Sequence, residues 1–126
     1  MNKELLIEGI KKLGMETTEE QIERFSKYSE LLKEWNNKIN LTAITDDDGI
    51  SVKHFLDSIL PLAHIEIKTG ANIADVGTGA GFPGLPIKII RDDINLTLID
   101  SLNKRINFLT LVSNELNLSN TVCVHG

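Results

Sequence analysis

A glycine-rich turn between an apolar strand and a helix constrains the fold of this chain most strongly. The apolar segment Ile73 to Val76 runs into Gly77-Thr78-Gly79-Ala80-Gly81-Phe82-Pro83-Gly84, and a helical pattern begins at Leu85. Glycine has no Cβ and adopts positive φ freely, so such a turn lets the backbone approach a ligand closely. The N–H groups of the following helix then face that ligand. Asp100 ends the next apolar run, where a carboxylate can accept both hydroxyls of a ribose. The layout therefore predicts a nucleotide-type binding site.

Two classes of cofactor fit this layout. The glycines formally match the dinucleotide fingerprint, and Asp100 follows them by about 20 residues, as that fingerprint requires. However, Asp75 precedes the first glycine, where a carboxylate would repel a pyrophosphate but suits a cationic amino group. Pro83 also interrupts the helix start that should receive the pyrophosphate. These two residues favour S-adenosylmethionine, which carries an amino acid and a sulfonium instead of phosphates. A dinucleotide-binding oxidoreductase fragment is the alternative, and a glycine-rich turn without a ligand is the third interpretation.

Composition narrows the class of protein. The chain has 126 residues and a net charge of −5, which argues against non-specific coating of nucleic acid but leaves room for a local basic patch at Lys53-His54 or Lys104-Arg105. No apolar run approaches the roughly 20 residues that span a bilayer, and the N-terminus lacks the apolar core of a signal peptide. Cys123 is the only cysteine, so no intrachain disulfide forms. We expect a cytoplasmic protein with no membrane contact and no metal.

Hydrophobic periodicity divides the chain into two regions. Residues 1–66 read as a helical cap, and residues 67–126 alternate strands with helices. The predicted strands are Asn72 to Val76, Leu96 to Asp100 and Thr121 to His125, and the helices between them are Leu85 to Arg91 and Leu102 to Asn117, the second capped by Ser101. Such alternation implies a parallel α/β sheet with right-handed crossovers, in which ligands bind at the carboxyl ends of the strands. Asp100 lies at such an end, and we expect its carboxylate to be partly solvated.

Three helix boundaries are marked in the cap. Thr18 followed by Gln21 predicts a capping box that opens the second helix. Asn36-Asn37 is predicted to end that helix, and Asp46-Asp47-Asp48 to begin the next, with carboxylates at the positive end of its dipole.

Four motifs in order resemble one protein family. They are Asn40-Leu41-Thr42-Ala43-Ile44, His54-Phe55-Leu56-Asp57-Ser58, the segment Asp75 to Gly84, and Leu98-Ile99-Asp100-Ser101 with Lys104-Arg105. The chain resembles the bacterial small-subunit ribosomal RNA guanine-N7 methyltransferases, also called the glucose-inhibited division protein B family. The resemblance covers nearly the whole chain. It implies a helical cap followed by the first βαβαβ half of a class I S-adenosylmethionine-dependent methyltransferase sheet, which is Rossmann-like and here truncated.

The resemblance also implies the activity and the site. The expected reaction is methyl transfer from S-adenosylmethionine to N7 of one guanine in small-subunit ribosomal RNA, and the expected partner is that RNA or the small ribosomal subunit. The cofactor-binding residues implied by position are Gly77, Thr78, Gly79, Phe82 and Asp100. Asn40, His54 and Asp57 match motif positions beside the cleft, and for these residues RNA or substrate contact and a structural role both stay open. No catalytic residue is assigned, because guanine N7 needs no base to remove a proton.

The chain is shorter than the family pattern. Relatives continue beyond the third strand, so the resemblance implies an N-terminal fragment whose later strands and guanine pocket are missing. We expect the 126-residue chain alone to be inactive, which leaves a non-catalytic binding module as an alternative for it. In the strand order 3-2-1-4-5, the strand Asn72 to Val76 has one uncovered edge, which predicts self-association.

Overall fold

The computed structural model describes all 126 residues as a helical region followed by a three-stranded parallel sheet with two crossover helices. The helical region contains α1 (Lys3–Lys12), α2 (Glu19–Asn36), α3 (Asp47–Gly49), a π-helix (Ile50–Leu56), α4 (Asp57–Ile59) and a 3-10 helix (Leu60–Ala63). The sheet region contains β1 (Asn72–Val76), α5 (Gly84–Ile90), β2 (Asn95–Asp100), α6 (Asn103–Glu115) and β3 (Thr121–His125). The predicted α/β class, with a helical cap followed by a parallel βαβαβ sheet, is confirmed.

Side chains cap the helices of the N-terminal region where the sequence predicts them. Thr18 and Gln21 form a reciprocal capping box: the Thr18 hydroxyl accepts from Gln21 N at 3.1 Å, and the Gln21 side chain accepts from Thr18 N at 2.9 Å. Asp46 opens α3 by accepting from Gly49 N at 2.8 Å. These bonds satisfy N–H groups that have no partner inside the helix, which is why the helices begin there.

The start of α6 differs from the prediction. Ser101 does not cap this helix; Leu102 occupies the N-cap position and makes no side-chain cap bond. Asp100 Oδ1 accepts from Leu102 N at 2.9 Å instead. The carboxylate at the end of β2 therefore fixes the chain as it enters α6, so no hydroxyl cap is needed.

The sheet has the order β1-β2-β3, and both pairs of strands are parallel. The helices α5 and α6 both contact β2 and α2, so they lie on the same face of the sheet, as right-handed crossovers would place them. On the central strand, Leu96, Leu98 and Asp100 are buried beneath these helices. The opposite face is bare, with Val76 75% exposed and Val122 56% exposed. The outer edge of β1 pairs with no strand, as predicted.

One hydrophobic core joins the helical region to the sheet. A single cluster of 20 buried residues includes Leu6 and Ile10 from α1, Phe25, Tyr28 and Leu32 from α2, Phe55 from the π-helix, and Leu85, Leu98 and Leu109 from the sheet region. The helical region therefore packs against the α5–α6 side of the sheet, and this packing brings α2 and the π-helix close to the glycine-rich turn.

No helix in the structure combines the length and the apolar character needed to cross a membrane. No group of three or more His, Cys, Asp or Glu side chains is arranged to hold a metal ion.

Candidate cofactor-binding site

The glycine loop, residues 77–84, follows the carboxyl end of β1. Three of its glycines have positive φ: Gly77 at +70°, Gly79 at +61° and Gly81 at +105°. A Cβ added to Gly77 or Gly79 would meet nothing within 4 Å, so both residues face open space. A Cβ on Gly81 would lie 2.6 Å from the Tyr28 hydroxyl and 2.5 Å from Leu85 Cδ1. Two glycines thus leave room outside the protein, and the third makes room for close packing inside it.

The first residues of the loop extend the sheet. Gly77 N and Thr78 N both donate to the carbonyl of Ile99 on β2, at 2.8 and 3.1 Å. Gly81 N and Phe82 N then donate to the carbonyl of Thr78, at 3.0 and 3.2 Å, and close a tight turn.

Ala80 lies at the centre of this turn, and its backbone hydrogen bonding differs from that of its neighbours. Its carbonyl accepts a hydrogen bond from the Tyr28 hydroxyl at 2.5 Å. Its N–H makes no hydrogen bond within the protein, whereas the other N–H groups of residues 77–82 all donate. The loop therefore retains one backbone donor.

Asp75 ties the two ends of the loop together. Its Oδ2 accepts from the Thr78 hydroxyl at 2.7 Å and from Gly84 N at 2.9 Å. A Cβ on Gly84 would approach this oxygen to 2.9 Å, which accounts for the glycine there. The sequence predicts that the Asp75 carboxylate contacts a cationic group of the ligand. In the structure Oδ2 organises the loop, and Oδ1 makes no hydrogen bond in the protein.

Asp100 joins the glycine loop to α6. Its Oδ2 accepts from Gly79 N at 2.8 Å, its Oδ1 accepts from Leu102 N at 2.9 Å, and Arg105 Nη1 lies 3.6 Å from Oδ1. The residue is only 2% exposed, so the expectation of a partly solvated carboxylate was wrong. The sequence could not reveal the enclosure, because it arises from the loop folding over the end of β2.

The hydrogen bonds decide the charge of Asp100. Burial alone would raise its pKa, but the N–H groups of Leu102 and Gly79, with the positive charge of Arg105, outweigh burial and lower the pKa below its usual value. Asp100 is therefore an ionised carboxylate at neutral pH, and this charge holds the loop.

The helical region supports the loop through aromatic side chains. The Phe82 ring stacks on the His54 ring, with centroids 4.4 Å apart and planes 8° from parallel. Tyr28 lies beside Phe82 at 5.6 Å between centroids. Thr42 Oγ1 lies 2.7 Å from His54 Nε2. Burial lowers the pKa of His54, which favours the neutral imidazole in this stack.

The other predicted residues of the helical region do not converge on one point. Asn40 is exposed and lines a cavity of about 300 Å³ together with Lys38, Lys104 and Arg105. Asp57 is exposed and lines a different cavity, of about 160 Å³, that includes Gly9, Leu13 and Leu60. The structure thus brings His54 to the glycine loop, places Asn40 beside the start of α6, and places Asp57 against α1.

Sequence reasoning missed two residues near the site. Tyr28 lies on the apolar side of α2, three residues after Phe25, and its pattern indicates only a core position. Lys38 follows the end of α2 and shows no motif. Tyr28 is the only tyrosine of the chain, and its place on the buried face of α2 is the one signal that pointed to a buried hydroxyl in need of a partner.

Comparison with known proteins identifies the family. The family model described as GidB, rRNA small subunit methyltransferase G, matches residues 21–126. The chain belongs to this family. The resemblance drawn from the four motifs is therefore confirmed, and the chain is a member of a methyltransferase family rather than of an oxidoreductase family.

Curated relatives agree with the family model. The chain is 50% identical over 123 residues to the ribosomal RNA small subunit methyltransferase G of Clostridium botulinum (strain Alaska E43 / Type E3), an alignment that covers 98% of this chain and 52% of the relative. It is 52% identical over 123 residues to the protein of that name from Clostridium perfringens (strain 13 / Type A), with the same coverage. It is 51% identical over 126 residues to that of Lysinibacillus sphaericus (strain C3-41), covering 100% of this chain and 53% of the relative. The chain spans about half the length of the curated relatives it matches.

Proposed function

We propose that this chain is the N-terminal, cofactor-binding part of an enzyme that transfers a methyl group from S-adenosylmethionine to N7 of a guanine in small-subunit ribosomal RNA. The observation that carries the proposal is the glycine loop, in which Gly77 and Gly79 face open space at the carboxyl end of β1. Ligands of parallel α/β sheets bind at these ends. Membership of the rRNA methyltransferase family supports the reaction class and the RNA substrate. We place the reaction in the cytoplasm, where ribosomal RNA is found.

The residues of the loop suit an S-adenosylmethionine ligand. Gly77 and Gly79 face open space, and the Thr78 hydroxyl is turned inward onto Asp75. The N–H of Ala80, a residue only 4% exposed, has no acceptor in the protein and suits one such as a carboxylate. The unbonded Oδ1 of Asp75 suits a cationic amino group. Phe82 would supply an apolar surface.

Asp100 is proposed to hold the ribose. A carboxylate offers about four lone-pair positions. The N–H groups of Gly79 and Leu102 take two of them, and Arg105 lies near a third. The remaining position is left for a ribose hydroxyl. Asp100 would then fix the glycine loop and the cofactor through one carboxylate.

Methyl transfer to guanine N7 requires of the protein mainly that it position the cofactor and the guanine. S-adenosylmethionine supplies a methyl group on a sulfonium, which is a good leaving group. Guanine N7 carries a free lone pair at neutral pH, so we assign no general base. Holding the acceptor atom in line with the methyl group contributes up to about 7–11 kcal/mol in favourable cases. The residues of this chain serve that purpose by fixing the cofactor.

The RNA is proposed to contact the basic cavity beside α6. Lys38, Lys104 and Arg105 place three cations around it, and Asn40 adds an amide. The chain as a whole carries a net charge of −5, so this surface stands out as a local exception. Phosphate groups bind lysine and arginine through charge, and this attraction weakens as salt rises. His54, which stacks on Phe82 beside the glycine loop, and Asp57, which lies on the α1 side, are proposed as further substrate contacts.

Ligand titration of the complete protein encoded by the gene tests the cofactor. S-adenosylhomocysteine, the demethylated product, is expected to bind with micromolar affinity, and NAD is expected not to bind. Binding of NAD without binding of S-adenosylhomocysteine would refute the proposal. Radiolabelled methyl transfer to small ribosomal subunits, followed by mapping of the modified base, tests the guanine and the N7 position.

A charge-neutralising pair of variants tests the RNA surface. Lys104→Gln is expected to weaken RNA binding and to reduce the slope of log affinity against log salt by about 0.7–0.9, the value for one phosphate contact. Lys27→Gln, an exposed lysine on α2 outside the basic cavity, is the matched control and should leave the slope unchanged. Equal slopes for both variants would remove Lys104 from the RNA surface.

The isolated 126-residue chain is proposed to be a fragment. We retain the division into residues 1–66 as the helical cap and residues 67–126 as the N-terminal half of the methyltransferase domain. Without the rest of the sheet the chain should transfer methyl groups poorly or not at all, and should self-associate through the unpaired edge of β1. Sedimentation and a methyl-transfer assay on the isolated chain test both points; a monodisperse, active monomer would contradict them.

A further inference from the structure

We infer that Tyr28 is a positioning residue: it fixes the centre of the glycine loop and thereby determines how tightly the cofactor binds. This inference rests on the proposed function, because it names a further residue that determines cofactor affinity. Tyr28 belongs to α2 of the helical region and lies 52 positions before Ala80 in the chain.

Tyr28 is completely buried and its hydroxyl has a single protein partner. It is 0% exposed and donates to the Ala80 carbonyl at 2.5 Å. Burial, with a smaller contribution from the negative charge of Asp75, raises its pKa well above the usual value. The phenol therefore keeps its proton and stays a donor across the physiological range.

The Tyr28 hydroxyl binds Ala80, the residue in the turn that hydrogen bonds within the loop and from Asp100 do not hold. Thr78 O closes the turn at Gly81 and Phe82, and Asp100 holds Gly79. Ala80 makes no bond of its own through N–H, and only Tyr28 holds its carbonyl. Without that bond, no hydrogen bond holds the N–H or the carbonyl of Ala80 itself, and the glycines on either side allow it a wider range of backbone angles than other residues would. The N–H of Ala80 would then lose its direction.

The ring holds the hydroxyl in place. Tyr28 packs against Phe55 at 5.4 Å and Phe82 at 5.6 Å between centroids. Gly81 leaves the space into which the hydroxyl reaches, since a Cβ there would lie 2.6 Å from it. Tyr28, Gly81 and Ala80 thus form a fitted contact between the helical region and the loop.

The variant Tyr28→Phe removes the hydroxyl and keeps the ring. In the complete protein it is expected to raise the dissociation constant for S-adenosylhomocysteine roughly threefold to tenfold, the loss that follows from one hydrogen bond. Hydrogen–deuterium exchange of the ligand-free protein should accelerate at residues 79–82 but not in α1. Ile10→Val is the matched control, because it loosens the same core in α1 without touching the loop. It should lower stability and leave both measurements at the loop unchanged.

The outcomes separate this inference from the proposed function. If the parent protein binds no S-adenosylhomocysteine, the proposed function fails, and exchange at residues 79–82 still decides the role of Tyr28. If the parent binds and Tyr28→Phe binds equally well, the positioning role is overturned. Equal weakening by Tyr28→Phe and Ile10→Val would assign Tyr28 to general stability and would also overturn it.

Discussion

Substituting Gly79 or Gly81 should separate the effect of the glycine loop on stability from its effect on cofactor binding. Gly79 and Gly81 both have positive φ, but a Cβ on Gly79 meets nothing within 4 Å, whereas one on Gly81 meets the Tyr28 hydroxyl at 2.6 Å and Leu85 Cδ1 at 2.5 Å. Substituting each by alanine therefore tests whether the loop is shaped by internal packing or by the space outside it.

The expected magnitudes follow from these distances. A left-handed backbone costs an alanine roughly 1–2 kcal/mol, and the stiffer unfolded chain returns about 0.4–1 kcal/mol. Gly79→Ala should therefore cost about 1 kcal/mol. Gly81→Ala adds overpacking of about 1–3 kcal/mol, because Tyr28 and Leu85 are buried and cannot move aside. Its total should be about 2–4 kcal/mol.

Urea unfolding at 25 °C measures both variants, and titration with S-adenosylhomocysteine measures binding. Gly79→Ala should stay folded but lose cofactor affinity, because its methyl group enters the open space in front of the loop. Gly81→Ala should lose mainly stability. The reasoning is refuted if the two variants unfold at the same midpoint, or if Gly79→Ala binds as tightly as the parent protein.

Three further predictions concern charge, pH and the sheet edge. Asp100→Ala should lower the free energy of unfolding in urea by roughly 2–4 kcal/mol, since the N–H groups of Gly79 and Leu102 lose their acceptor. Asp100→Asn should lower it less, because the amide keeps one acceptor oxygen. Equal losses for the two variants would contradict this. Burial lowers the pKa of His54 in the folded protein, so below about pH 6.5 the unfolded chain binds more protons than the folded one. The free energy of unfolding should therefore fall as pH drops from about 6.5 through the folded pKa. Urea unfolding of His54→Gln at several pH values should lack this fall. Val76→Lys should reduce self-association of the isolated chain in sedimentation runs, because Val76 is 75% exposed at the end of β1, whose outer edge pairs with no strand. Thr110→Lys on α6 is the control and should not change self-association.

The sequence was sufficient wherever structure depends on near neighbours in the chain. The capping box at Thr18, the glycine loop and the three strands follow from local periodicity and turn chemistry. All lie where predicted, except that β2 begins at Asn95, one residue earlier than expected. The placement of Gly77 and Asp100 at adjacent strand ends also followed, because parallel strands with right-handed crossovers allow few arrangements.

The sequence was insufficient wherever distant segments meet. The burial of Asp100 depends on the glycine loop, and the role of Tyr28 depends on contact with Ala80 across 52 positions. His54 and Asp57, three residues apart, would share a face of an α-helix. His54 lies in a π-helix, whose i→i+5 bonds turn the chain less per residue. The two side chains therefore diverge, one towards Phe82 and the other towards α1.

The core shared by the helical region and the sheet governs how the molecule can come apart and how it can change. Leu6 and Ile10 are buried in the same cluster as Leu98 and Leu109, so the two regions exclude water from one shared core. Heating should melt both in one cooperative transition. Overpacking a core costs about 1–3 kcal/mol, so a larger side chain on one side of this contact should destabilise both regions unless a smaller one compensates on the other. A chimera that joins the helical region of one relative to the sheet of a distant one should therefore be less stable than either parent.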